Sequence, residues 1–316
     1  MPLRRLHRPM ALLGLTSVAV ACWPGPSVAS PSPRVPSPGR LLTAWSPAAV
    51  RPPAPRPAAA RVPDPGRASG LIRGPGLPAS HPSPGASRGA GSPGGWGTPV
   101  LTEGFGGTRL DPRKWTVYHS PRLRENPRTA SAARVAGGRL RLTGGIYHSR
   151  DLSGGVATRL HQRYGRWEVR MRAERGVGYS AVALLWPKRF GDPEFAEINF
   201  AEVIDPTRRN VGLFVHRGPR DAQARRVVPV DFTRWHTVAL DWLPHRLTFW
   251  LDGRRVWAYR GPLIPQRTSM GLALQNDQVC DRGPGFCRDR TTPKWVTMDV
   301  DWVRVYRAPA RWSRAG

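Results

Sequence analysis

The sequence predicts an all-β fold, built as a single-domain β-sandwich or jelly roll over residues 97–309. Short runs with period-two alternation recur through this region and are separated by turn residues, a pattern typical of such folds. An Asp-Gly pair at 252–253 separates two of these runs and indicates a tight hairpin. No segment of ten or more residues shows a convincing helical period.

The expected strands follow one another along the chain. They are residues 139–143, 165–172, 211–216, 235–242, the hairpin pair 246–251 and 254–257, and a final strand at 297–306. A sandwich of this kind suits a long polymer as ligand, because curvature of one sheet creates an open groove.

Residues 1–29 have the pattern of a secretory signal peptide. Three arginines precede an apolar run at 11–21, which is too short to span a bilayer and is followed by small-residue cleavage sites. The pattern predicts a secreted protein. The alternative is a lipid anchor through Cys22, since Ala-Val-Ala before this cysteine faintly resembles the acylation site of a bacterial lipoprotein.

Residues 30–96 are expected to form a disordered linker. Sixteen Pro and ten Gly occur among these 67 residues, and such a composition cannot bury enough apolar surface to offset its ordering entropy. Frequent proline should keep the segment extended and fairly stiff, which suits a spacer between the cell envelope and a globular domain. Residues 310–316 are expected to form a short basic tail.

The chain is strongly basic, with 49 Lys and Arg against 21 Asp and Glu and a formal net charge of +28. Residues 1–96 contain 11 Arg and 1 Asp, so +18 remains for the rest of the chain. Basic charge can indicate nucleic-acid binding, but the secretory pattern argues against it and no nucleic-acid-binding motif occurs. Association with an anionic cell wall fits better, and a solvated basic surface without a partner is the simplest interpretation.

Cys280 and Cys287 lie seven residues apart in a turn rich in Gly and Pro. In an oxidising compartment a disulfide between them is the favoured interpretation, and two reduced thiols are the alternative. A metal site is less favoured, because two cysteines without clustered histidines provide too few ligands.

The strongest functional signal is the hexapeptide Glu-Ile-Asn-Phe-Ala-Glu at 197–202, within a segment typical of a strand. Strand alternation places Glu197 and Asn199 on one face and Glu202 on the other. One extra residue, a β-bulge, would return Glu202 to the first face. Paired carboxylates held close together are the groups that glycoside hydrolysis requires. Two solvated carboxylates on an edge strand are the alternative.

The ordered succession of further segments resembles glycoside hydrolase family 16, the laminarinase-like β-jelly-roll enzymes. The similarity runs through most of residues 103–307 and includes 138–142, 164–171, 215–216, 235–236, 251–253 and 298–306. This resemblance implies a concanavalin-like jelly roll with a concave substrate cleft. It also implies retaining endo-hydrolysis of β-glycosidic bonds without a required cofactor. A structural calcium ion is often bound in the family, but the sequence does not indicate one.

The resemblance also assigns roles to the hexapeptide. The laminarinase-like pattern is Glu-x-Asp-x-x-Glu, which makes Glu197 the nucleophile, Glu202 the general acid/base and position 199 an assisting residue. A retaining mechanism holds the two carboxyl groups ~5–5.5 Å apart. Glu197 must be ionised in order to attack, and Glu202 must hold a proton near neutral pH.

Asn199 departs from the family pattern, because it keeps the hydrogen-bonding capacity of Asp without its charge. Its amide could donate to Glu197 and stabilise the ionised nucleophile. Without a like charge beside it, Glu202 loses its proton more readily, which predicts a slower enzyme with an acid-shifted optimum. The alternative is a decayed site in a non-catalytic carbohydrate-binding protein.

The aromatic platform for substrate departs from the family as well. The family usually has a Trp-Pro-Ala-Phe-Trp-Leu-Leu run where this chain has Tyr179 to Trp186. Because sugar rings stack on aromatic faces, Tyr179 and Trp186 are candidate substrate-binding residues, with core packing as the alternative for each. The resemblance adds His216 and Gln275 as candidate cleft residues, and a structural histidine is the alternative for His216.

Taken together, these patterns predict a secreted, monomeric retaining endo-glycosidase that acts on β-1,3- or β-1,3-1,4-glucan. One alternative is a hydrolase of another, acidic galactan or cell-wall polysaccharide. The other is a non-catalytic carbohydrate-binding jelly roll. In each case a polysaccharide is the expected partner.

Overall fold

The computed structural model describes residues 95–188, 195–218 and 220–310. The predicted signal peptide with Cys22, the linker up to residue 94 and the tail from residue 311 onward lie outside the described residues. Within the described ranges, no helix has the length and hydropathy needed to cross a bilayer. The same described ranges contain three single-turn 3-10 helices, at Ala130–Ala132, Cys280–Arg282 and Pro284–Phe286.

Sixteen strands occur in the described part of the chain, and we number them in sequence order. They are β1 (Leu101–Glu103), β2 (Trp115–Val117), β3 (Ala133–Ala136), β4 (Arg139–Tyr147), β5 (Arg150–Leu152), β6 (Gly154–Gln162), β7 (Gly165–Ala173), β8 (Ala181–Pro187), β9 (Ala196–Val203), β10 (Asn210–Arg217), β11 (Ala222–Pro229), β12 (His236–Leu243), β13 (Arg246–Leu251), β14 (Arg254–Tyr259), β15 (Met270–Asn276) and β16 (Trp295–Tyr306).

The strands form two antiparallel sheets that pack as a sandwich, which confirms the predicted fold class. One sheet has nine strands in the order β14-β13-β12-β7-β16-β4-β3, with β1 beside β16 and β5 beside β4. The other has seven strands in the order β11-β10-β9-β8-β15-β6-β2. The apolar members of the alternating runs meet between the sheets in one large core, in which Trp167, Met171, Ile198 and Phe200 are fully buried.

The predicted hairpin joins β13 to β14. Leu251 pairs with Arg254 across the turn, and the two central residues, Asp252 and Gly253, have φ angles of +49° and +76°. Positive φ at both central positions is the type I′ geometry that matches the twist of the flanking strands. The hairpin predicted from the Asp-Gly pair is therefore confirmed.

The folded region already includes Trp96, the last residue of the predicted linker. Trp96 is buried and packs against Leu243 and Tyr306 at the ends of β12 and β16. The indole therefore anchors the start of the domain to the nine-stranded sheet.

The outward face of the nine-stranded sheet carries buried ion pairs. Arg166 contacts Glu168 at 2.8 Å and Asp241 at 2.6 Å, and Trp250 donates to Asp241 at 2.9 Å. Asp299 in β16 is paired with three arginines on neighbouring strands: Arg139, Arg141 and Arg172. Each buried carboxylate of these two clusters thus has a guanidinium partner, as expected where charges leave water.

Candidate active site

The strand β9 contains the hexapeptide and is irregular at its centre. Two consecutive residues of β8 pair with Asn199 and Ala201, so Phe200 is the extra residue of a β-bulge. Phe200 and Ala201 both lie in the core, although they are neighbours in sequence. The bulge returns Glu202 to the face that carries Glu197, which confirms the geometric prediction.

This face of the seven-stranded sheet is turned away from the core, and we call it the cleft face. A pocket on the cleft face is lined by six of the seven side chains that the sequence suggested for catalysis and substrate binding. They are Trp186, Glu197, Asn199, Glu202, His216 and Gln275.

Tyr179 is the predicted site residue that the structure does not bring to the pocket. It is fully buried, and its hydroxyl donates to Asp151 and accepts a hydrogen bond from Arg288 at 3.2 Å. A side chain at Gly144 would collide with its ring, so the ring fills the space above that glycine. Because no ring face is open to solvent, this location does not support a stacking role for Tyr179.

Trp186, by contrast, lies on the cleft face and is partly exposed. Its ring lines both the pocket that holds the two glutamates and a neighbouring pocket on the same face. Phe195 packs edge-on against it, with the ring centroids 5.4 Å apart. An apolar cluster of Val182, Leu184 and Ala273 lies beside it and forms part of the cleft floor. An indole on such a floor is suited to stack against a sugar ring.

His216 lies directly beside Glu197, because the two residues are paired across β10 and β9. Its Nδ1 is 2.8 Å from Oδ1 of Asp221, and its ring stacks on Phe214 with centroids 5.6 Å apart. These two contacts fix the orientation of the imidazole, which leaves its other edge for the pocket.

Asn199 bridges the two glutamates. Its Nδ2 donates to Oε2 of Glu202 at 3.0 Å, a partner that the sequence did not suggest. A side-chain hydrogen bond from Asn199 also acts on Glu197 and lowers its pKa, against the effect of burial. The Oδ1 of Asn199 is buried and has no hydrogen-bond partner among the described residues.

Glu202 has a second partner that the sequence did not suggest. Nη2 of Arg282 lies 2.6 Å from Oε1 of Glu202 and forms an ion pair with it. Both Asn199 and Arg282 donate to this carboxylate, so they bind its ionised form.

Glu197 has the opposite environment. Burial, together with the nearby charge of Glu202, raises the pKa of Glu197 to about 8. At neutral pH Glu197 therefore holds a proton, while the donors around Glu202 favour a carboxylate there. A retaining mechanism with Glu197 as nucleophile needs the reverse arrangement.

The loop that supplies Arg282 is closed by a disulfide between Cys280 and Cys287, the pairing favoured from the sequence. Three residues at its start, Val279, Asp281 and Arg282, line the pocket. Sequence reasoning used this segment only for its cysteines and missed the arginine between them.

Asp277 is another pocket residue that sequence reasoning missed. Arg128, which is fully buried, donates to its Oδ1 from Nε at 2.9 Å and from Nη2 at 2.5 Å. This pair neutralises the charge of Asp277 at the edge of the pocket. No group of three or more His, Cys, Asp or Glu side chains in the described ranges is arranged to hold a metal ion.

Comparisons with known proteins identify a family and similar folds. Residues 128–274 match the family described as Glycosyl hydrolases family 16. The catalytic domain of an endo-1,3-beta-glucanase (laminarinase) from Thermotoga petrophila superposes with a TM-score of 0.58 at 18% identity, over 66% of this chain and 97% of that one. The laminarinase from Rhodothermus marinus gives 0.57 at 23% identity, over 66% and 97%.

A family 16 enzyme of the mixed-linkage glucan system of Bacteroides ovatus gives a TM-score of 0.57 at 18% identity, over 65% of this chain and 99% of that one. At these identities the similarity shows a shared fold. No curated protein sequence matches the chain. The family match and the two-sheet jelly roll together show that this chain contains a domain of glycoside hydrolase family 16.

Proposed function

We propose that the protein is a secreted retaining endo-glycosidase that cleaves a β-linked polysaccharide. The observation that carries this proposal is the bulge at Phe200, which sets Glu197 and Glu202 on one face of β9 in an open pocket. Two carboxyl groups in that relation are what double displacement at an anomeric carbon requires. The signal-peptide pattern at residues 1–29 supports action outside the cell.

In the proposed mechanism, Glu197 attacks the anomeric carbon while Glu202 protonates the departing glycosidic oxygen. The product of this step is a glycosyl ester of Glu197. Glu202, now a carboxylate, then takes a proton from water, and the resulting hydroxide attacks the same carbon and frees Glu197. His216 is held beside Glu197 and Trp186 offers an aromatic surface, so both are suited to fix the sugar at the reacting centre.

The two glutamates must exchange one proton before the first step. At neutral pH this proton is on Glu197, whose pKa is raised to about 8. Because the charge of Glu202 is one cause of that shift, a bound substrate that changes the surroundings of Glu202 can move the proton from one carboxyl to the other. Asn199 is hydrogen-bonded to both carboxyl groups and so links them.

For the substrate, we propose a β-1,3- or β-1,3-1,4-linked glucan backbone. Support comes from the structural similarity to enzymes named as endo-1,3-beta-glucanases and to a mixed-linkage glucan enzyme. The apolar floor and the indole of Trp186 also fit the flat faces of glucose rings.

The test is to incubate the secreted protein with a panel of β-1,3-, mixed-linkage and β-1,4-glucans and an agar-type galactan. The release of reducing ends measures cleavage, and NMR of the first product gives its anomeric configuration. We expect endo-cleavage with retention, lost in both Glu197→Gln and Glu202→Gln. Glu125→Gln, an exposed glutamate outside the pocket, is the matched control.

Azide rescue tests the assignment of roles with an activated aryl glycoside. Glu197→Ala with azide should give the α-glycosyl azide, because azide replaces the nucleophile in a single displacement. Glu202→Ala with azide should give the β-glycosyl azide, because azide replaces water in the second step. The exchanged pattern of products would reverse the roles of the two glutamates. Binding of a glucan without any cleavage would instead support the carbohydrate-binding alternative.

A further inference from the structure

Arg282 is only partly used by the contacts within the protein. Its side chain is 46% exposed, while that of its partner Glu202 is 6% exposed. A guanidinium has five N–H donors, and the side chain of Arg282 makes no hydrogen bond besides that to Glu202 within the described residues. The group therefore faces the pocket and the solvent at once, with donors to spare.

The position of Arg282 is fixed by its loop. The residue ends a 3-10 turn at Cys280–Arg282, and the disulfide from Cys280 to Cys287 closes the segment seven residues later. A backbone hydrogen bond from Arg282 to the carbonyl of Val279 tightens the same turn. The guanidinium is thus presented over the acid/base position from a constrained loop.

The charged groups around Glu202 lie on four segments of the chain. Glu197 is on its own strand, His216 on β10, Asp277 after β15, and Asp281 and Arg282 on the disulfide loop. Asp277 is neutralised by Arg128, and the raised pKa of Glu197 keeps that group protonated at neutral pH. Arg282 is then the permanent cation that faces Glu202 among the described residues lining the pocket.

More cationic side chains flank the pocket along the cleft face. The neighbouring pocket beyond Trp186 is lined by Arg159 and Lys188, and no carboxylate lines it among the described residues. In the other direction, Arg225 of β11 pairs with Phe214, which in turn pairs with Asn199. Because paired residues share a face, Arg225 lies on the cleft face about 10 Å from Asn199 across two strand spacings. Basic groups therefore occur on both sides of the glutamate pair.

This arrangement conflicts with catalysis on a neutral chain. While Arg282 is bound to Glu202, that carboxylate has no proton to give to the leaving oxygen. A second anion at the guanidinium would compete for Arg282 and release Glu202. Carboxylate, sulfate and phosphate all match the fork geometry of a guanidinium.

We propose that Arg282 is a specificity residue that binds an anionic substituent on the sugar next to the scissile bond, so that the preferred substrate is an acidic β-linked polysaccharide. This inference rests on the proposed glycosidase function and narrows its substrate class. The substituent takes the guanidinium from Glu202, which then accepts the proton of Glu197. The substrate itself thereby sets the two glutamates in the states that the first step needs.

The binding test uses the full chain with Glu197→Gln, so that no probe is consumed. The probes are a β-1,3-linked glucohexaose, the same hexaose oxidised to carboxylate at C6, and its sulfated form, each titrated calorimetrically at low and high salt. We expect either anionic probe to bind at least ~10-fold more tightly than the neutral one, the range of a charge-assisted hydrogen bond. The carboxylated and sulfated arms distinguish the two sources of anion.

Two further substitutions locate the effect. Arg282→Gln should remove the preference for the anionic probe, while Arg290→Gln should leave it. Arg290 is an exposed arginine eight residues further along, so it controls for the loss of one positive charge. Equal binding of neutral and anionic probes would overturn the proposal, as would equal effects of the two substitutions.

Kinetics with the intact glutamates separate the two levels of inference. On the carboxylated polymer, Arg282→Gln should lower kcat/KM by ~10-fold or more, and on the neutral glucan it should raise kcat, because Glu202 is no longer paired. If the wild type cleaves the neutral glucan as well as the acidic one, the specificity role is wrong and the glycosidase proposal stands. If neither Glu197→Gln nor Glu202→Gln alters the cleavage of any polymer, the glycosidase proposal itself fails.

Discussion

The two sheets of the sandwich both carry charged side chains on their outward faces, but they differ in how closely their carboxyl groups are paired with cations. On the nine-stranded sheet, Glu168 and Asp241 share Arg166, and Asp299 is surrounded by three arginines. On the seven-stranded sheet, Glu197 and Glu202 lie on one face with the neutral amide of Asn199 between them, and Glu202 has a cationic partner in Arg282. Paired charges are what a fold needs for stability, whereas neighbouring carboxyls raise each other's energy.

The comparison indicates where function resides in a chain that is basic throughout. Arginine is frequent on both sheets, so its presence alone does not distinguish a functional face from a structural one. Burial raises the pKa of several carboxyl groups, including Asp241 on the nine-stranded sheet, but Asp241 is paired with Arg166. Glu197, in the cleft pocket and beside another glutamate, has its pKa raised to about 8. A strongly raised pKa beside a second carboxyl group is typical of a functional site, where the retained proton can take part in the reaction.

The largest effect should come from removing the acid/base on the cleft sheet. We expect Glu202→Gln to lower kcat by about 10²–10⁴-fold, because proton transfer to the leaving oxygen is lost. Thermal unfolding should show a small loss of stability, because the amide keeps the shape of the side chain but not the ion pair with the half-exposed Arg282. Full activity in this variant would contradict the assignment of the active site to the seven-stranded sheet. Glu125→Gln should match the wild type in both measurements.

The counterpart on the nine-stranded sheet is Arg166→Met. This change leaves Glu168 and Asp241 buried without their cation, and we expect the free energy of unfolding to fall by about 3–5 kcal/mol. Denaturant titration measures the loss, while kcat and KM should be unchanged because the other sheet carries the pocket. Arg254→Met, at an exposed site on β14, is the control. A loss below about 1 kcal/mol would show that this cluster is not structural.

The pH dependence of stability tests the raised pKa of Glu197. The folded protein keeps this proton up to about pH 8, whereas the unfolded chain releases it near 4.5. Stability from this group is therefore present below pH 4.5 and decreases as the pH rises to 8, by at most about 1.4 kcal/mol per pH unit. Glu197→Gln should be as stable as the wild type at pH 4 and more stable at pH 8. Parallel stability curves for the two proteins would rule out the shift.

The smallest effect is expected from Asn199→Asp. A negative charge at this position helps Glu202 hold its proton, so the alkaline limb of the kcat–pH profile should move up by about one unit. The measurement compares pH–rate profiles on the same polysaccharide. Identical profiles would show that residue 199 does not tune the pair, and Asn199→Ser controls for the loss of the amide.

Strand periodicity made much of this architecture predictable. The hairpin at Asp252-Gly253 and the bulge at Phe200 both follow from local rules, since alternation and turn geometry depend on neighbours in sequence. The disulfide of the 280–287 loop was favoured on the same local grounds.

The features that the sequence did not yield depend on distant segments. Arg282 reaches Glu202 across 80 positions, and nothing in its own loop shows which strand it will face. Tyr179 is buried because Gly144 on the other sheet leaves room for its ring. The protonation of Glu197 follows from burial and from Glu202 together, so only the assembled pocket determines it.

The bulge at Phe200 also limits how this site can change over evolutionary time. An insertion or deletion between Glu197 and Glu202 would turn one glutamate toward the core, because each single-residue shift reverses the face of a strand. A substitution at position 199 leaves both glutamates where they are. The spacing of the pair is therefore constrained by the fold itself, whereas the chemistry at position 199 can change without moving either glutamate to the other face.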